Sequence, residues 1–289
     1  MQNIIFEISG GMGKNIMSTA VIRAIKAEYP EGNIIVISEY PAVFLNNPNV
    51  HRVFRNGTMY FYDDYIKGKD VKFMCMDPYK SQGFFTDSEH LTKSWCEINQ
   101  IEWDGAEPEL YMTPLEIQRI QNAVDTSKPI LAFQPYGGFN RDLKYSWNRD
   151  IPPNQAQEIV RRLSDTYNVF QLSRPDQLPI NGATIFSSDN IRDLFALIAI
   201  STKRIGIDSF MQHCAAAFKL PSTVCWVTNT PDVFGYDTHT NIKPAIESNQ
   251  NISHIDGVYS KYDFTGTRAY DFPFNTTDIF NIDKIVSNL

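Results

Sequence analysis

The stretch Lys203-Arg204-Ile205-Gly206-Ile207-Asp208-Ser209-Phe210-Met211-Gln212-His213 sets an aspartate, a serine and a histidine around one strand-to-helix junction. The β-branched run closes at Ile207 and Ala215 to Phe218 continue a helix, so a helix N-terminus is expected at Asp208-Ser209. Its free N–H groups and positive dipole end suit a phosphate or diphosphate, and Ser209 adds a hydroxyl donor beside them. A carboxylate would repel that phosphate, so Asp208 is read as an acceptor for sugar hydroxyls or as the helix cap. His213 follows Ser209 at i, i+4 and shares its face. An ordinary capped core helix would carry the same residues.

Two further loops could approach a ligand. Gln134-Pro135-Tyr136-Gly137-Gly138-Phe139, followed by Lys144-Tyr145-Ser146-Trp147, leaves a predicted strand at the end where open α/β sheets bind ligands. Lys144 is placed to neutralise a diphosphate. Near the start, Ser9-Gly10-Gly11-Met12-Gly13-Lys14 joins a strand to a helix but is no nucleotide motif. A Walker A would need glycine where Ile8 stands and Ser or Thr where Asn15 stands, and the dinucleotide fingerprint would need glycine at Ile16. What remains is a turn whose backbone at Gly11 and Gly13 can come close to a ligand, with the charge of Lys14 beside it, or simply a tight turn. The cluster from Met59 to Tyr65 reads as loop packing or as a sugar-binding face.

The elements that must position these residues alternate strand and helix. The first half reads as strand Asn3 to Ile8, helix Asn15 to Tyr29, strand Asn33 to Ser38, and short strands at Val50 to Phe54 and Val71 to Met76. Helices follow at Leu91 to Ile101 and after Pro114. The second half reads as strand Ile130 to Gln134, helix Asn154 to Tyr167, strands Val169 to Leu172 and Thr184 to Phe186, and helix Ile191 to Ser201. Strand Arg204 to Ile207, helix Ser209 to Phe218 and strand Thr223 to Val227 then lead into the loop Asn229-Thr230-Pro231-Asp232. Polar residues from Asp125 to Lys128 suggest two α/β domains, 1–126 and 127–289.

Composition narrows the class. A chain of 289 residues, 43% hydrophobic and 20% charged, can bury a real core, and no apolar run approaches the length of a membrane span. Cys75, Cys96, Cys214 and Cys225 lack C-x-x-C spacing, and the N-terminus lacks a signal pattern, so a reducing cytoplasm is expected. The sequons at Asn56, Asn251 and Asn275 then carry no meaning. A net charge of −7 disfavours nucleic acid as a partner without excluding a local basic cleft.

The order of motifs (glycine-turn βα unit, P-x-G-G loop, K-x-x-W, I-G-I-D-S-F-M-Q-H-C-A-A-A-F-K-L-P, then N-T-P-D) resembles glycosyltransferase family 9, the ADP-heptose:lipopolysaccharide heptosyltransferases. The resemblance runs over roughly residues 1–240, with D-S-x-x-x-H-x-A-A its most specific part. It implies a GT-B fold, two facing Rossmann-like domains across a cleft, and inverting, metal-independent transfer of heptose or a related sugar. The donor, an ADP-sugar in this family, would lie on the C-terminal domain, the acceptor on the N-terminal one, and a terminal helix from Phe280 to Leu289 would pack back.

Carried over, Lys144 matches the diphosphate-binding lysine, Asp208 the aspartate near the donor sugar, Ser209 with Phe210 the phosphate-contacting helix start, and His213 the histidine of that helix. Gly137 and Gly138 join this donor set, while Gly11, Gly13 and Lys14 fall on the acceptor side. Two positions depart from the pattern. Phe210 stands where the family has glycine, and Lys14 stands where the heptosyltransferases have the aspartate taken as catalytic base. A lysine serves as base only after a strong downward pKa shift, so the base is sought at Glu7, Glu39 or Asp77, with Lys14 free to bind an anionic acceptor or the leaving group.

The helix start and Lys144 would stabilise the departing nucleoside diphosphate without a metal, so no cofactor is expected beyond the nucleotide-sugar itself. No D-x-D pair stands on a strand-end loop, and Asp63 and Asp64 are adjacent and point apart in an extended chain. The acceptor would be a glycan, lipopolysaccharide or another hydroxyl compound, which leaves room for peripheral association with the inner face of the membrane. The competing reading is a catalytically silent protein that binds a nucleotide-sugar or glycan.

Overall fold

The run Asn-Ile-Ile-Phe-Glu-Ile at the start of the chain sets Ile4, Phe6 and Ile8 on one face and Ile5 between Asn3 and Glu7 on the other, and it forms β1 (Asn3–Ile8) inside a parallel sheet. The computed structural model describes residues 1–86, 89–137, 145–174, 176–249, 252 and 272–289. After β1, Gly10 turns the chain at φ +96°, a conformation that costs side-chain-bearing residues dearly. Gly11, extended, is the N-cap of α1 (Met12–Glu28). The helix thus begins earlier than the expected Asn15, and Gly13 and Lys14 belong to its first turn rather than to the loop. Pro30 and Gly32 lie beyond its end, as the sequence suggests.

Three strands join β1: β2 (Asn33–Ser38), β3 (Arg52–Arg55) and β4 (Val71–Met74), in the order β3-β2-β1-β4, all parallel. Short helices α2 (Gln82–Phe85) and α3 (Leu91–Ile98) follow, and α4 (Pro114–Ala123) opens with a reciprocal capping box between Thr113 and Glu116. A second parallel sheet then begins at β5 (Ile130–Gln134). It continues through α5 (Pro153–Leu163), β6 (Asn168–Leu172), β7 (Thr184–Phe186), α6 (Ile191–Ile200), β8 (Lys203–Ile207), α7 (Phe210–Ala217), β9 (Thr223–Cys225), α8 (Pro231–Phe234) and β10 (Thr240–Ile242). Its order is β10-β9-β8-β5-β6-β7. Strand β10 has no counterpart among the expected elements, because three residues, Thr-Asn-Ile, carry no readable periodicity.

Strand order matters more than strand count here. In the first sheet the chain moves from β1 outward through β2 and β3, then returns to the other side of β1 as β4. In the second it moves from β5 through β6 and β7, then returns beside β5 as β8. Each reversal opens a crevice at the carboxyl ends of the two strands that flank it, the place where such sheets bind ligands. The crevices lie between β1 and β4 and between β5 and β8.

The two halves pack α1 on α7 and α4 on α6, and one apolar cluster runs through both, including Ile4, Phe6 and Ile16 with Phe195, Met211 and Cys214. The terminal helix α9 (Ile282–Ser287) rests on α5, where Gln155 bonds the backbone of Phe280 in both directions and Arg162 pairs with Asp283. Arg192 ties the halves: its guanidinium donates to both carboxylate oxygens of Glu116 and to the carbonyls of Ala42 and Tyr111, and its side chain is only 3% exposed. Its hydrogen bonds to the carboxylate, more than its charge, hold the Glu116 carboxyl down at about 2.

Removing such a fork leaves a partly buried carboxylate and two carbonyls without their donor. Arg192→Ala is expected to destabilise the protein by about 3–5 kcal/mol, read as a lower urea midpoint, with Arg192→Lys intermediate because an ammonium cannot span all the acceptors.

Candidate functional site

The two crevices meet. Helices α1 and α7 begin at the carboxyl ends of β1 and β8; the α1 N-cap, Gly11, has no side chain, and the hydroxyl of the α7 N-cap, Ser209, does not close its own first turn. Gly13, in the first turn of α1, lies against the first turn of α7. A Cβ added there would stand 2.8 Å from Cδ2 of His213 and 3.5 Å from Cα of Phe210. Two positive helix ends therefore share one small region.

Polar side chains from neighbouring strands dress the start of α7. Gln134, the last residue of β5, accepts from the N–H of Met211 at 3.1 Å and donates to Oγ of Ser209 at 3.0 Å. Ser209 keeps its own hydroxyl hydrogen to offer, and Phe210 its N–H. Asp208 is buried and accepts from Nε2 of Gln212 at 3.0 Å and from Nδ2 of Asn229. The carboxylate thus receives side-chain amides rather than capping the helix. Oε1 of Gln212 and Oδ1 of Asn229, both buried, have no hydrogen-bond partner among the described residues. The sequence assigns Gln134 and Gln212 no role of their own within the stretches that contain them, since a glutamine inside a strand or helix announces nothing until the fold brings it to a partner.

His213 sits behind Asp208, with Nε2 4.0 Å from Oδ1 of Asp208 and Nδ1 2.8 Å from the hydroxyl of Tyr236. If Tyr236 donates, the Nε2 proton points toward Asp208. His90 and His239 complete a ring around Tyr236, each 5.6 Å from it between ring centroids, as is His213. His90, the N-cap of α3, also reaches across to the carbonyl of Gly235 at 3.1 Å, so this cluster joins the two halves.

The P-x-G-G loop leaves β5 on the other side of Gln134. Buried Asp150 accepts from the N–H of Gly137 at 2.7 Å and of Ser146 at 2.8 Å, while Gln177 donates to the carbonyl of Gly137. Burial pushes the Asp150 carboxyl up to about 7, against the two N–H bonds that favour its charged form. Gly138 and Lys144 lie outside the described residues.

In the β1/β4 crevice, Lys14 turns inward rather than toward solvent. Its ammonium meets Oδ1 of Asp77 at 2.9 Å and lies 4.9 Å from the ring centroid of Tyr79 and 5.5 Å from that of Trp95. Burial lowers the Lys14 pKa, and the bond to Asp77 opposes the shift. Glu7 is exposed within β1, beside Cys75. Glu39 is exposed past the end of β2 and, with Tyr40, Arg55, Asn56 and Gly57, lines an open cavity of about 540 Å³. Met59 and Tyr60 are exposed at its chain neighbour, the segment read as a sugar face or packing, while Phe61 packs on Phe54. Among the described residues, no group of three or more His, Cys, Asp or Glu is placed to hold a metal ion, and no helix is long and apolar enough to cross a membrane.

Burial fixes a pH dependence. It pushes His90 down to about 4 and His213 to about 3, and lowers His239, with Asp237 facing His90, Glu107 and Asp208 facing Tyr236, Arg149 facing His213 and Arg204 facing His239. Neutral in the folded chain, these rings take up protons only on unfolding once pH falls below about 6.5. Their stabilisation is complete above that pH and is lost as pH falls toward 4, by up to about 1.4 kcal/mol per ring per unit. Urea midpoints should drop through this window, and less steeply in His90→Gln.

No family model matches the chain, and no curated protein matches it. Solved structures do. A glycosyl transferase family 9 protein from Veillonella parvula DSM 2008 superposes with a TM-score of 0.67 at 11% identity, over 99% of this chain and 95% of that one. ADP-heptose lps heptosyltransferase II of E. coli superposes with a TM-score of 0.63 at 16% identity, over 89% and 94%. The dodecameric iron-containing heptosyltransferase TibC, solved with ADP-D-beta-D-heptose, gives 0.62 at 12% identity, over 99% and 75%. The two parallel α/β sheets of this chain therefore have the fold of these transferases, the GT-B architecture.

Proposed function

We propose that the protein is a glycosyltransferase that moves a sugar, heptose or a relative, from a nucleotide-diphospho-sugar to a hydroxyl acceptor. The observation that carries this reading is the convergence of the α1 and α7 N-termini at Gly13, beside a hydroxyl at Ser209 and a buried carboxylate at Asp208. A diphosphate leaving with two developing negative charges is the ligand such a place suits. In this reading the N–H of Phe210 and the hydroxyl of Ser209 bind the diphosphate with Lys144, and no metal is required. Asp208, beside the unpartnered acceptors of Gln212 and Asn229, takes the hydroxyls of the donor sugar. His213 packs behind Asp208, with Nε2 4.0 Å from Oδ1.

The donor is assigned to the second half, residues 127–289, and the acceptor to the first, residues 1–126, where the cavity at Glu39 and Arg55 offers it room. Transfer is inverting, by direct displacement at the anomeric carbon. An ADP-sugar is favoured because one fold relative is an ADP-heptose lps heptosyltransferase and another was solved holding ADP-D-beta-D-heptose. The protein works in the cytoplasm, at the membrane face if its acceptor is a lipid-borne glycan. The replacement of the family aspartate by Lys14 supports a second reading, a silent binder of the same nucleotide-sugar.

A thermal-shift screen against ADP, UDP, GDP and CMP and their sugar conjugates, with magnesium and with EDTA, separates the readings. ADP is expected to raise Tm equally in both buffers. Lys144→Ala should abolish that shift, and Asp208→Ala should keep it while losing most release of ADP from ADP-heptose. Stabilisation without any ADP release identifies the silent binder, and no response to any nucleotide overturns both.

A further inference from the structure

We infer that Asp77 is the catalytic base and that Lys14 is its positioning residue, an inference that rests on the transferase reading above. The base is the one part of that reading left without a residue, and the β1/β4 crevice supplies it. Asp77 stands three residues past the end of β4, directly across that crevice from the glycine turn and first helical turn that follow β1. Its side chain is 31% exposed, whereas that of Lys14 is 5% exposed. Oδ1 takes both the Lys14 ammonium, at 2.9 Å, and the N–H of Tyr79, at 3.1 Å. Oδ2 has no partner among the described residues, so one oxygen is anchored and the other is open.

The anchoring is more than an N-cap needs. A serine or asparagine would cap the 3-10 turn Pro78–Lys80 as well, yet here a buried lysine, held between the rings of Tyr79 and Trp95, is committed to the same carboxylate oxygen. The segment also borders the donor side: Tyr79 packs on Phe234 of α8, and Lys14 adjoins Gly13, which touches His213 and Phe210. Glu7 is less suited, since it projects from within β1 rather than from its end, and Glu39 lies one strand farther from the reversal, past β2.

The step balances without a further reactant. The acceptor hydroxyl gives its proton to Oδ2 of Asp77 as its oxygen forms the new bond to the anomeric carbon. The bond from that carbon to the diphosphate oxygen breaks, and its electron pair leaves with the nucleoside diphosphate. Water in place of the acceptor gives slow hydrolysis by the same route.

The test uses the full chain, ADP for binding and ADP-heptose for turnover. Asp77→Asn keeps the turn cap and is expected to keep the ADP thermal shift while slowing ADP release about 100-fold or more, the range of a lost general base. In Asp77→Ala, sodium azide, a nucleophile with no proton to lose, should restore ADP release. Lys14→Met should lower the rate and shift its acid limb while ADP still binds. If ADP stabilises the wild type but Asp77→Asn releases ADP at the wild-type rate, the assignment is overturned and the transferase reading stands. Wild type that binds ADP and releases none from ADP-heptose overturns the base and supports the silent binder. If another nucleotide of the screen binds instead, its sugar conjugate replaces ADP-heptose in the same comparison; wild type that binds no nucleotide overturns the transferase reading and this inference with it.

Discussion

Everything at the centre of the molecule depends on the missing side chain of Gly13. Because position 13 carries no Cβ, the first turn of α1 can lie on that of α7, at a separation that even one methyl group would close against His213. Two helix N-termini brought this near are electrostatically unfavourable, since each carries the equivalent of about half a positive charge. The fold tolerates the arrangement with carboxylates at both ends, Asp208 beside α7 and Asp77 beside α1 through Lys14. An anionic ligand between them would complete the compensation, which is the physical reason to read the junction as a diphosphate site rather than as helix packing alone.

Around that junction the protein uses amides instead of charges. Gln134, Gln212 and Asn229 arrange Ser209 and Asp208 without adding a formal charge to the crevice, and Asp150 ties Gly137 and Ser146 through backbone bonds. A cationic second layer would compete with the ligand for Asp208, and an anionic one would repel a diphosphate. Neutral donors and acceptors fix geometry at little electrostatic cost. The buried histidines follow the same rule, since burial keeps His90 and His213 neutral.

Local pattern made the βα alternation legible: NIIFEI, NIIVIS and RIGI are strands by composition. The junction at Asp208-Ser209 was readable for the same reason, being built within a dozen consecutive residues. What the sequence does not display is any relation that exists only between distant elements. Gln134 and Met211 are neighbours because β5 lies beside β8, and Lys14 meets Asp77 because β4 returns beside β1. The start of α1 was placed too late because Gly11 and Gly13 argue against helix by propensity, and only contact with α7 explains why the helix includes one of them. Of the two roles read for Asp208, sugar-hydroxyl acceptor or helix cap, the cap goes to Gln134 for a similar reason: a side chain from the adjacent strand reaches the N–H of Met211, which leaves the carboxylate for amide donors.

The Lys14 and Asp77 pair also changes the electrostatics of the crevice relative to what the family resemblance implies. A lone aspartate after the glycine turn would place one negative charge near the departing diphosphate. Here the same turn carries a cation, and the carboxylate stands across the crevice three residues past the end of β4, so the pair is neutral as a whole. A neutral pair repels the leaving group less, and the ammonium's fixed side anchors the carboxylate with its free oxygen outward. The lysine thus leaves the crevice with a partly exposed carboxylate anchored through one oxygen, the geometry that the proposed base requires.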